Sequence, residues 1–195
     1  MPNNRKYHAD LKGKLGAIIM AMFSIFAAMK FVKTEQIFFV LLAIKNLIAS
    51  YYLLVRRPGI ESAKGIFFNF VVYFSAAIPL FYSIGGGHIG RELSFAINIL
   101  SILGFTLMAW ALLDLGRSFG VTPSNRGIVT SGVYRYFNHP MYTGYVLAEL
   151  GFALLGGVNT ILFFLSIGLY WLRAKHENKI LGRSSSTESG IFSFK

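Results

Sequence analysis

Four apolar runs, at about residues 15–32, 36–55, 65–84 and 94–113, limit what this chain can fold into. Each is close to the ~20 residues an α-helix needs to cross a ~30 Å hydrocarbon core. A polytopic, all-α membrane helix bundle is therefore expected. Composition agrees: only 14% of residues are charged, where a soluble domain carries about 25%. The first run follows Arg5, Lys6, Lys12 and Lys14, as in a signal peptide. No clear small-x-small cleavage site follows it, so a retained first helix is expected.

The stretch His139–Arg173 is too long for one ordinary span, since it would run ~50 Å at 1.5 Å per residue. Gly156-Gly157-Val158-Asn159 reads as a turn in its middle. Two short helices, about 141–155 and 159–172, are expected to form a hairpin that need not cross the membrane. This makes about six helical segments in a single membrane domain, residues 1–181. Residues 114–140 form a long connection rich in glycine and aromatics, expected to be a folded cap on the cytoplasmic side. Residues 182–195 form a short, serine-rich polar tail, expected to be mobile.

The formal net charge is +11, but the basic residues alternate with apolar runs. With a cytoplasmic N-terminus, fifteen Lys and Arg fall in inside segments. Three (Lys30, Lys33 and Arg91) fall in outside loops, and Lys45 lies within a run. That bias follows the positive-inside rule and places both termini in the cytoplasm. Nucleic-acid binding is not the expected reason for the charge. The chain has no cysteine, which excludes disulfides, thiolate metal sites and cysteine nucleophiles. No metal site is expected.

"GGGHIG", residues 85–90, matches the dinucleotide fingerprint only in letters, with no strand before it and no βαβ unit. A flexible turn is the better reading. Lys45 and Glu149 fall inside apolar runs, where ionisable groups are costly and turn toward the bundle interior. Lys45 is expected to snorkel or to pair structurally, and Glu149 to serve either structure or function. Arg173, Glu177 and Leu181 recur at i, i+4 and i+8, one face of a helix, and alone would be a solvated ion pair. "TSGVYRYFNHPMYTG", residues 130–144, is the densest polar stretch. Its tyrosines could form an interfacial belt, or they could join His139 and Glu177 in a site on the cytoplasmic rim.

"IVTSGVYRYFNHPMYTGY" followed by "RAKHENKIL" resembles the isoprenylcysteine carboxyl methyltransferases and their phospholipid methyltransferase relatives. The likeness covers about 112–181, and "LGRSFGVTPSNRGIVTSG" resembles the bacterial branch. The resemblance implies S-adenosylmethionine as cofactor, bound by Arg126, Gly127, Ile128, Val129, Tyr134, His139, Pro140, Met141, Tyr142 and Glu177. Glu177 would hold the cofactor's amino group. Arg173 would face the acceptor's carboxylate and, with His139, form the catalytic pair. It further implies a lipid-like acceptor, carboxyl O-methylation as the nearest chemistry, and a bacterial inner membrane. A phospholipid amine acceptor, or a non-catalytic membrane protein on the same scaffold, is the alternative. Three features depart from the family pattern: Asn138 in place of arginine, Asn178 in place of a second glutamate, and the tail "GRSSSTESGIFSFK".

Overall fold

The computed structural model describes residues 11–57, 66–84, 90–122, 126 and 128–182. Six α-helices run in order: α1 Leu11–Thr34, α2 Ile37–Val55, α3 Ile66–Ala77, α4 Arg91–Leu115, α5 Pro140–Ala153 and α6 Val158–Ile180. The described residues contain no strand. Gly127, the "GGGHIG" residues 85–89 and the tail from 183 onward lie outside the described residues.

Three helices, α1, α2 and α4, are long and apolar enough to span a membrane, and the protein is an integral membrane protein. Their outward faces are large and apolar: Leu15, Ile18, Ile25, Leu47, Leu54 and Leu103 are all exposed. The third apolar run is not a full span. Its α-helix stops at Ala77 and a 3-10 turn, Ile78–Phe81, follows. Pro79 has no N–H for the helical ladder and ends it there. Lys30 and Lys33, expected in a loop, belong to α1; only Glu35 and Gln36 separate α1 from α2. The Lys30 ammonium donates to the Leu80 and Tyr82 carbonyls at the end of the α3 segment.

Helix α5, at 14 residues, is about 21 Å long and falls short of the hydrocarbon thickness. Helix α6 is longer than expected, with 23 residues instead of a helix ending at 172. "RAKHENKI" keeps good helix formers after the apolar run stops, and the break comes at Gly182, which takes a left-handed φ of 69°. The turn between α5 and α6 falls where expected, with Gly156 and Gly157 both at positive φ. Asn159 clamps this turn to the chain after α3: Nδ2 donates to the Ser83 carbonyl at 2.6 Å, and the Ser83 N–H donates to Oδ1 at 3.0 Å.

Helices α4 and α5 pack closest. A Cβ on Gly104 would collide with the Ala148 backbone nitrogen, and one on Gly144 would lie 2.7 Å from the Gly104 carbonyl oxygen. Small residues let two helix backbones approach where the solvent is lipid and apolar burial gives no drive. The end of the bundle away from the polar loops is sealed by aromatics. Phe38 packs on Phe152 at 4.6 Å, on Phe105 at 5.3 Å and on Tyr82 at 6.0 Å. Each such pair contributes about 0.5–1.5 kcal/mol beyond area burial. Aromatic rings thus fill one end, and His139, Arg173 and Glu177 gather at the other.

Candidate functional site

The polar end is assembled from the ends of α2, α4 and α6 and the start of α5. Asp114, in the last turn of α4, accepts the Val133 N–H at 2.8 Å. The Arg57 N–H donates to the Arg117 carbonyl at 2.7 Å, Arg117 Nε to the Val55 carbonyl at 3.0 Å, and Arg126 Nε to the Arg57 carbonyl at 3.0 Å. The 116–139 connection is thus tied across to the end of α2. Gly132 is needed at φ 59°, because any Cβ there would run into the Asp114 carboxylate.

On α5, Tyr142, Tyr145 and Glu149 recur at i, i+3 and i+7; on α6, Tyr170, Arg173 and Glu177 do the same. That spacing puts each set on one face, and the two faces meet. Tyr170 stacks between Tyr142 (5.9 Å) and Tyr145 (5.1 Å). The charged groups hang on these rings. Lys45, 4% exposed, donates to Tyr145 Oη at 2.8 Å. Glu149, 1% exposed, accepts from Tyr170 at 2.6 Å and from Tyr82 at 2.8 Å. Lys45 does not snorkel, and it reaches Tyr145 rather than forming a direct pair with Glu149.

Arg173 is 7% exposed. It donates to Ser75 Oγ at 2.9 Å and to the Val121 carbonyl at 3.1 Å, and its guanidinium lies 5.2 Å from the Tyr142 ring centroid. Its Nε has no hydrogen-bond partner. It is therefore no half of a solvated ion pair. One turn on, Glu177 is about a third exposed and accepts from Tyr142 Oη at 3.2 Å. His139, 4% exposed, caps the start of α5. Its Nε2 lies 3.1 Å from Asn178 Oδ1, and its Nδ1 lies 3.8 Å from Glu177 Oε2. With the amide oxygen toward the ring, Nε2 carries the proton.

Two chambers share a wall here. The inner one has about 620 Å³ of free space including its open mouth, and its lining includes Lys45, Tyr145, His139, Met141, Arg173 and Phe119. The outer one has about 590 Å³ counted the same way and is lined by Arg126, Ile128, Val129, Asn138, Thr122 and Leu181 among others. Tyr134, Tyr142 and Glu177 face both. Of the described residues that the resemblance assigned to the site, only Pro140 lines neither chamber; it is buried at the first position of α5, and Gly127 is not among the described residues. Tyr136 is 60% exposed, while Tyr134, Tyr142 and Tyr145 are buried and do not fit the belt reading. Sequence reasoning offered Tyr145 only as a belt residue and did not name Tyr170, Tyr82 or Ser75. The first two were detectable from the matching i, i+3, i+7 stripes; Tyr82 and Ser75 carried no such signal.

The described residues form a helical membrane bundle with a buried polar site at one end. Residues 96–183 match the model of the isoprenylcysteine carboxyl methyltransferase (ICMT) family. The match spans α4 from its second turn, the pinned connection, α5 and α6. No curated protein and no solved structure matches the chain.

Proposed function

We propose that this protein is an S-adenosylmethionine-dependent methyltransferase that methylates the carboxylate of a lipid-like acceptor. The observation that carries this reading is the pair of chambers meeting at Tyr134, Tyr142 and Glu177. The outer chamber suits the cofactor. Glu177 offers a carboxylate, held by Tyr142, for the ammonium. Tyr134 and Tyr142 offer ring faces to a sulfonium, and Ile128 and Val129 offer apolar surface. The inner chamber suits the acceptor, with Arg173 Nε still free to bind a carboxylate oxygen.

When bound, the cofactor supplies a methyl group on a sulfonium that is already a good leaving group. A carboxylate acceptor would need no proton removed before taking that methyl group. The protein's work is then alignment and removal of water from the carboxylate. Arg173 orients the acceptor, and its own direction is set by Ser75 and Val121. His139, held by Asn178, fixes the start of α5 and with it Tyr142. An amine acceptor would have to lose a proton first. Glu149 is badly placed for that, being bonded to Tyr82 and Tyr170 and lining neither chamber. The positive-inside bias adds to this proposal a cytoplasmic site and cytoplasmic termini, and the resemblance to the bacterial branch adds a bacterial inner membrane.

The test is binding of radiolabelled S-adenosylmethionine to the detergent-purified protein. Saturable binding that His139→Ala and Glu177→Ala weaken is the expected result. No binding by the wild-type protein, with both variants indistinguishable from it, would sink the proposal.

A further inference from the structure

Lys45 lies on α2, outside the segment that matches the family, and the alignment chemistry above gives it no task. Yet it lines the same inner chamber as Arg173, and both are at least nine-tenths buried. Among the described residues its ammonium has a single hydrogen bond, to Tyr145, though it carries three donors. Arg173 holds a further nitrogen without a partner. Two buried cations with unused donors therefore face one cavity.

The carboxylates nearby do not use those donors. Glu149 stands behind the tyrosines, with its oxygens engaged by Tyr82 and Tyr170. Glu177 opens onto the outer chamber as well as the inner one, and on the reading proposed above it is committed to the cofactor's ammonium. His139 adds no negative charge. Tyr142 and Tyr145 are i, i+3 on α5, so Lys45 sits about one turn deeper than Arg173. Apart from the Tyr134 phenol, the remaining wall is apolar or small, with Met20, Ala49, Ala76, Leu115, Phe119 and Met141 among its residues.

We propose that Lys45 and Arg173 together form an anion subsite, and that the acceptor is an apolar-tailed carboxylic acid whose head group bridges the two cations. This rests on the inner chamber being the acceptor's. It makes Lys45 a determinant of acceptor class. A carboxylate has an oxygen for each cation and keeps lone pairs to react. A head group bearing an ammonium would be repelled by both cations in a setting with little water.

The experiment uses the full-length protein in lipid nanodiscs, with radiolabelled palmitate as probe and hexadecanol and hexadecylamine as competitors. Palmitate should bind saturably and resist both competitors. Lys45→Met should weaken palmitate roughly tenfold or more, the loss of one charged hydrogen bond. Lys45→Arg should restore most of the affinity, and S-adenosylmethionine binding should be the same in all three proteins. Equal competition by hexadecanol, or wild-type palmitate affinity in Lys45→Met, would overturn the subsite. So would loss of S-adenosylmethionine binding in a folded Lys45→Met protein, which would place the cofactor's own carboxylate there. The competition arm needs only wild-type protein, so it stands even where a variant fails to fold. Palmitate binding without any S-adenosylmethionine binding would instead remove the methyltransferase proposal and leave the anion subsite.

Discussion

At Tyr142 one phenol works for both chambers: its ring lies beside the Arg173 guanidinium and its hydroxyl donates to Glu177. Tyr142→Phe keeps the ring and removes the donor. The expected outcome is S-adenosylmethionine affinity reduced about tenfold, from the loss of a hydrogen bond to a charged group of roughly 1.5 kcal/mol or more. Palmitate affinity should stay close to wild type, because the ring beneath Arg173 remains; binding isotherms for the two ligands separate these effects. Much of this residue-level detail was legible from sequence, but only in part by physics. Resemblance pointed to His139, Tyr142, Arg173 and Glu177. It could not show that Asn178, where the family has a glutamate, would turn its amide onto His139. That contact depends on α6 continuing as a helix beyond Arg173.

Helices α4 and α5 set the spacing of the site, because the seam between them leaves no room for a side chain at Gly104 or Gly144. Gly104→Ala should lower the thermal midpoint in detergent, with an overpacking cost of about 1–3 kcal/mol. Gly168 on α6 is a useful contrast: nothing lies within 4 Å of where its Cβ would stand. Gly168→Ala should be neutral or raise stability by up to ~1 kcal/mol, the helix-propensity difference. A melt of the two variants side by side checks the sign of each. Sequence patterning located α1, α2 and α4 well, since a long apolar run has few alternatives to a helix in lipid. It did less well where hydropathy and helicity part company. Helix α6 outruns its apolar segment by two turns, and the third run loses its helix at Pro79 although it stays apolar. The glycine seam carries no one-sequence signal at all, because a glycine that admits a neighbouring helix looks like any other glycine.

The six helices bring the ends of α2, α4 and α6 and the start of α5 to a single face, with the aromatic knot around Phe38 at the opposite end. Which face of the membrane that is can be read directly, since the chain has no cysteine of its own. Single cysteines at Arg57, Ser118 and Lys179 should all react with an impermeant maleimide from the same side. Reaction of one of them from the other side would contradict the fold. The overall bundle was legible in the apolar runs, and the shared face followed from reading residues 139–173 as a hairpin. The two-chamber division was not, because its wall is built by side chains from α5, α6 and the 3-10 turn at Gly132–Arg135.

That wall has a kinetic meaning under the proposed activity. Cofactor and acceptor would occupy neighbouring compartments that share Leu115, Gly120, Val121, Tyr134, Tyr142 and Glu177, so neither need vacate its place for the other to arrive. A dead-end analogue confined to the outer compartment would then compete with S-adenosylmethionine, yet act as a noncompetitive inhibitor toward the lipid. Its potency would be unaffected by how much acceptor the bilayer holds.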